Sequence, residues 1–159
     1  MRIIPEKSVH KALHRSPFMV VAFESATGPR CAGVVPEFDG QVIWLGSVGH
    51  DFKVRCMRKH HEVSVTATVP TRVPILASFI PPSTVTFKGR AEVLPIDAPG
   101  VPTALRKGIK VPADTELAAV RIEPIGDFIS YGLDLPVWKL TDTDLARGRT
   151  EFKAATAMG

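Results

Sequence analysis

Apolar and polar residues alternate along much of the chain, and the alternation predicts strands. Phe18–Ser25 is a β-branched and aromatic run, and Cys31–Phe38 follows turn residues at Thr27-Gly28-Pro29. Asp39-Gly40 is the strongest short hairpin signal and leads into Gln41–Ser47. Glu62–Val69 sets Val63, Val65, Ala67 and Val69 on one face, with Ser64, Thr66 and Thr68 on the other. Thr84–Leu94 repeats the pattern, with Val85, Phe87, Gly89, Ala91 and Val93 facing in. Ala118–Ile122 and Asp127–Tyr131 are two further candidates. Short strands at this regular spacing predict a sandwich or barrel.

Helical periods are few. An N-terminal helix is expected within residues 1–15, over Pro5–Arg15, with a second at Asp51–His61 and a third at Pro102–Lys107 closed by Gly108. The apolar, proline-punctuated stretch Pro70–Pro82 reads as a long loop. Residues 141–159 are polar and are expected to form a loosely held tail. With no internal repeat and no linker, residues 1–159 are expected to form one mainly β domain with a few short helices.

Composition agrees. The chain has 159 residues, 45% of them hydrophobic, which excludes disorder. Its 14 prolines exclude a bundle of long helices. No apolar stretch is long enough for a membrane helix, and the basic N-terminus lacks the apolar region of a signal peptide. Cys31 and Cys56 stand alone, which fits a reducing cytoplasm rather than a disulfide framework. The 11 aromatic residues do not interleave with basic ones, so a nucleic-acid platform is not expected.

Charge sharpens the picture. Twenty Lys and Arg face 16 Asp and Glu, a formal net +4. Residues 50–61 hold Lys53, Arg55, Arg58 and Lys59 against Asp51 alone. On a helix with Lys53 at zero, Arg58, Arg55 and Lys59 fall at roughly 140°, 200° and 240°, a solvated face. Phe52, Cys56, His60 and Met57 fall at roughly 260°, 300°, 340° and 40°, facing the protein. Lys53 thus lies inside the apolar arc, in the first turn, near the positive end of the helix dipole. Either its stem snorkels past Phe52 and Met57 to water, or a bound anion removes both penalties. A phosphate with Ser47 Oγ as a further donor is the expected anion. Arg55 joins Lys53 on one anion only if residues 50–53 are still loop.

The other candidates are weaker. His10 and His14 share a helix face at i, i+4 but lack a third ligand, and His60-His61 point apart, so no metal site is expected. Cys56 reads as a small buried hydrophobe. No nucleophile elbow, phosphate-binding loop or dinucleotide fingerprint occurs.

The order helix, three strands, then WLGS…HDFKVRCMRKHHEVSVTATV resembles the FMN-binding split β-barrels of the pyridoxamine 5′-phosphate oxidase-like superfamily, in its flavin/deazaflavin-dependent oxidoreductase branch. In that family a strand ends in Thr or Ser, a basic pair with an obligatory lysine opens the next helix, and a P-x-V-S-V strand follows. Ser47, Lys53 and Glu62-Val63-Ser64-Val65 stand in those places. The later run AAVRIEPIGDFISYGLDLPVWKL resembles the last strands of the branch.

The resemblance implies a Greek-key split barrel, homodimeric, with each cofactor between two barrels. It implies FMN, or a deazaflavin, held at Leu45, Gly46, Ser47, Phe52, Lys53, Val54 and Arg55, with Lys53 and Ser47 on the phosphate and the ring along the second and third strands. It implies an oxidoreductase acting through flavin N5 on a small molecule, with no catalytic side chain assigned and neither nucleic acid nor membrane as partner. A non-enzymatic flavin binder, or a haem binder with His50 as axial ligand, are its other readings. The sequence departs in three places. Phe52-Lys53 replaces Arg-Lys, His60-His61 replaces Asn-Pro, and the C-terminus lacks the Arg-x-His type motif of true pyridoxamine phosphate oxidases.

Overall fold

The computed structural model describes residues 1–70 and 80–151. Among them the chain runs β1 (Arg2–Ile3), α1 (Glu6–Arg15), β2 (Phe18–Ser25), β3 (Gly28–Val34), β4 (Pro36–Phe38), β5 (Ile43–Val48) and α2 (Phe52–Lys59). It continues with β6 (Glu62–Val69), β7 (Ser83–Pro95), α3 (Thr103–Gly108), β8 (Leu117–Tyr131), a 3-10 turn at Val137–Lys139, α4 (Thr143–Ala146) and β9 (Arg147–Thr150). The architecture is mainly β with short helices, as the alternation predicts. No described helix is long and apolar enough to cross a membrane.

Strands β3, β2, β6, β7 and β8 are successive antiparallel neighbours. β8 also pairs β5, and β5 pairs β4. Only Val35 separates β3 from β4, so the circuit returns to its start through the chain rather than through a hydrogen-bonded ladder. The expected single strand Cys31–Phe38 is therefore two, bent at Val35-Pro36, where proline removes a ladder donor.

The two candidates Ala118–Ile122 and Asp127–Tyr131 are in turn one strand of 15 residues. Pro124 and Gly126 mark a bend inside it. Lys88 pairs Ile125 while Thr86 pairs Ile129, so β8 carries two extra residues there, with Gly126 at φ 72°. That bend lets Ile43–Val48 pair the first part of β8 and Arg147–Thr150 pair its last part.

The inward faces form one core. Val21, Ile43, Leu45, Val65, Val85, Phe87 and Ile122 are buried, joined by Val9, Ala12 and Leu13 of α1 and by Val54 and Met57 of α2. Each large aliphatic side chain so buried contributes about 1.5–3 kcal/mol. β5 is buried on both faces, because Val42 and Trp44 pack with Leu105 of α3 and Ala119 in a second cluster.

The expected loose tail is corrected as far as Thr150. α4 and β9 continue the fold, and β9 lies between β8 and a parallel β1. Thr150 Oγ1 donates to Ile4 O at 2.7 Å, and the Arg2 guanidinium donates to Leu133 O at 2.7 Å. Residues 2–4 are thus held by Leu133 and residues 148–150, which no local hydrophobic period reports. Residues 152–159 of that tail, and 71–79 of the Pro70–Pro82 segment, lie outside the described residues.

Candidate functional site

β5 delivers Gly46 and Ser47 to a turn at Gly49-His50, and the chain enters α2 with Asp51 as N-cap. Asp51 Oδ1 accepts from Lys53 N at 3.1 Å, satisfying a donor the helix start leaves open. Oδ2 accepts from Lys53 Nζ at 2.6 Å and from Ser47 Oγ at 3.4 Å. Burial raises the Asp51 pKa, but the Lys53 side-chain and backbone hydrogen bonds, the Lys53 charge and the Ser47 hydroxyl outweigh it and hold the carboxyl below its ordinary value.

The position of Lys53 calls for an anion, and the chain supplies one. Lys53 is half-buried inside the apolar arc as expected, yet its partner is the Asp51 carboxylate. In the sequence that aspartate stands out only as the lone acid of the helix. Its N-cap place, two residues before Lys53, was the available signal.

The rest of α2 departs from the ideal wheel at its ends. Val54, Cys56 and Met57 are buried, and Arg55, Arg58 and Lys59 are exposed. Phe52 and His60, expected inward, are exposed, Phe52 by 49%. Phe52 opens the helix on its rim, with its ring edge-on to Phe23 at 6.3 Å and the Arg55 guanidinium 5.9 Å above it. His60 is the C-cap, already in extended backbone at φ −124°.

Two cavities flank α2 and share no lining residue. One, of about 340 Å³, lies among Val35 to Glu37 at the β3–β4 bend, Gly46, Lys53, and Leu105 and Ile109 at α3. The other, also about 340 Å³, lies between the β2–β3 turn and the outer face of α2, where Phe52, Arg55 and Arg58 line it. The expected cofactor residues are divided between them: Gly46 and Lys53 line the first, Phe52 and Arg55 the second. The helix is already regular at Phe52, so Lys53 and Arg55 do not share one anion. Leu45 and Val54 are core, 2% and 0% exposed, and offer only backbone. Ser47 is buried and turned to Asp51.

The α3 side of the first cavity carries no chemical motif that would mark it in the sequence. A Cβ on Gly46 would lie 2.7 Å from Ile109 Cδ1, so glycine permits close approach to the β5 backbone there. The result is a slot with glycine on its floor, aliphatic side chains on its walls, one amine and the Glu37 carboxylate. That suits a flat ring better than a multiply charged group.

Of the histidines, His60 lines the second cavity and the others lie outside both. His10 and His14 stand edge-on to Phe38, at 5.6 and 4.7 Å, and His10 Nε2 lies 3.4 Å from Glu6. His50 is exposed in the turn and lines neither cavity. Among the described residues no three metal-ligating side chains come together.

No protein-family model matches the chain, and no curated protein matches its sequence. Solved structures do. An F420 reductase superposes with a TM-score of 0.58 at 17% identity, over 79% of this chain and 98% of that one. A pyridoxamine 5′-phosphate oxidase-related, FMN-binding protein from Nostoc punctiforme gives 0.56 at 10%, over 81% and 84%. A haem storage protein from Vibrio cholerae gives 0.61 at 14%, over 84% and 97%. At these identities the likeness is one of fold.

Proposed function

We propose that this chain, whose fold is that of the pyridoxamine 5′-phosphate oxidase-like superfamily, is an oxidoreductase that binds FMN in the cavity between the β3–β4 bend, β5 and α3. The observation that carries the reading is that Gly46 and Lys53, distant from Val35 and Ile109 in sequence, line one cavity with them. A volume of about 340 Å³ is at the small end of ligand pockets.

The residues fit the two parts of the cofactor unequally. Gly46 and the aliphatic walls suit the ring. For the phosphate there is a single amine, Lys53, already paired with Asp51 at 2.6 Å, and the Glu37 carboxylate lines the same cavity. A bound phosphate would therefore share the ammonium with Asp51, whose Oδ2 also accepts from Ser47 Oγ. When bound, the flavin supplies hydride transfer through N5, and the protein supplies orientation and a dry wall from Leu105 and Ile109.

Val35 lines this cavity and is 77% exposed, so an apolar side chain stands open at the mouth. A second copy of the chain covering that mouth fits the homodimer the resemblance implies. Light scattering on the purified protein tests it, with a dimer as the expected species.

Mass spectrometry and the absorption spectrum of the purified protein test the cofactor. FMN is expected. A deazaflavin, or a Soret band from haem, would replace it with one of the other readings. A protein that neither co-purifies with nor takes up any flavin overturns the proposal.

A further inference from the structure

The second cavity beside α2 has chemistry of its own. Arg55, Arg58 and Lys59 sit at i, i+3 and i+4, a spacing at which like charges repel. None has a carboxylate partner among the described residues, and none of the residues lining the cavity is acidic. The helix dipole accounts for Arg58 and Lys59 in the last turn. It does not account for Arg55, one turn earlier, or for the apolar floor.

That floor is formed by Phe52, half of it exposed, by Ala26 and by Cys56, 8% exposed. The Phe52 ring stands edge-on to Phe23 at 6.3 Å, with the Arg55 guanidinium 5.9 Å from its centroid. Arg58 is held as well, since Nη1 donates to Gly49 O at 3.1 Å. Its remaining N–H groups are thus oriented before any ligand arrives, which lowers the ordering cost of a charge-assisted contact. An exposed aromatic face beside converging cations meets two needs of one ligand type: a ring to stack and an anion to neutralise.

We propose that this cavity is a binding site for a small aromatic anion, an aryl phosphate or aryl carboxylate, separate from the cavity of Gly46 and Lys53. The ring lies against Phe52, and the anionic group lies between Arg55 and Arg58, with Lys59 at the edge. The proposal does not depend on which cofactor the first cavity takes.

Titration calorimetry of the purified protein with phenyl phosphate tests it, with inorganic phosphate and phenol as comparators. Saturable binding is expected for phenyl phosphate, at a Kd of about 1 mM or tighter. Arg55→Gln and Arg58→Gln should each weaken it roughly tenfold, the loss of one charge-assisted hydrogen bond. Lys7→Gln, the same charge change on exposed α1, should leave it unaltered. Amide shifts in the unmutated protein give an answer that needs no folded variant: they should centre on Ala26, Phe52 and Lys59. Equal binding of inorganic phosphate, no saturation, or shifts centred on Gly46 and Ile109 would each overturn the assignment.

Discussion

Lys53 and Asp51 hold each other twice, ammonium to Oδ2 at 2.6 Å and backbone N–H to Oδ1 at 3.1 Å. The pair fixes the start of α2 and at the same time occupies the one amine that lines the first cavity. Lys53→Ala should therefore reduce retention of a phosphate-bearing cofactor far more than Arg58→Ala, whose guanidinium belongs to the other cavity. The flavin-to-protein ratio after gel filtration reads this directly. Equal ratios in the two variants would contradict a role for Lys53 in phosphate binding.

Asp51→Asn separates the two tasks of the aspartate. Asparagine caps a helix as well as aspartate does, so α2 should persist. The ammonium, freed of its counter-charge, should bind FMN several-fold more tightly. Asp51→Ala should free the ammonium too, but lose about 1 kcal/mol of stability with the cap. If Asp51→Asn binds FMN no better than the unmutated protein, the carboxylate is not a competitor for phosphate.

Acid should expose the same arrangement. The Asp39 carboxyl is buried enough to raise its pKa, but hydrogen bonds from Val42, Trp44 and Gln41 and the Arg121 charge bring it below the ordinary value; Asp51 is lowered likewise. A depressed folded-state pKa means that the unfolded chain binds more protons in acid. The stabilisation is present above the unfolded carboxyl value of about 3.9 and is lost as pH falls through the folded values. Urea midpoints should hold steady from neutral pH to about 5 and drop below about 4. Asp39→Asn and Asp51→Asn should each flatten that drop.

Asp39 also illustrates what the sequence made legible. Asp39-Gly40 announced a hairpin, and β4 and β5 are that hairpin, with Phe38 opposite Ile43. The carboxylate does more than turn the chain: it accepts from the backbone of Gln41 and Val42 and from Trp44 Nε1 at 2.8 Å. Asp39→Ala should strand the indole N–H of a Trp44 that is 4% exposed and cost about 1–3 kcal/mol in urea denaturation. Asp39→Asn, which keeps one acceptor oxygen, should cost less.

Period-2 strands were readable because burial imposes the period, as in β6, which matches its expected bounds. The pairing of β1 with β9 is not, since it depends on a partner far along the chain, and Pro36, Pro124 and Gly126 mark irregularities without saying whether a strand ends or bends there. The site shows the same division. Helix geometry alone sets Lys53 between Val54, Cys56 and Met57, where it is half-buried. That Phe52 and Arg55 face a different cavity depends on the position at which the helix begins, and local composition leaves that open by a residue or two.

Two glycines distinguish the cavity from the barrel. At Gly89 an added Cβ would stand 2.5 Å from Ile122 Cγ2 and 3.3 Å from Glu123 O. Ile122 is fully buried and the oxygen is backbone, so neither gives way, and Gly89→Ala should cost about 1–3 kcal/mol by overpacking. At Gly46 the added Cβ would meet Ile109 Cδ1 at 2.7 Å, the far end of a half-buried side chain that lines the first cavity. Ile109 can rotate away at little cost. Gly46→Ala should then melt close to the unmutated protein yet retain much less FMN, because both the new methyl and the displaced isoleucine intrude on the slot. Unchanged FMN retention in a stably folded Gly46→Ala would place the ring somewhere other than against β5.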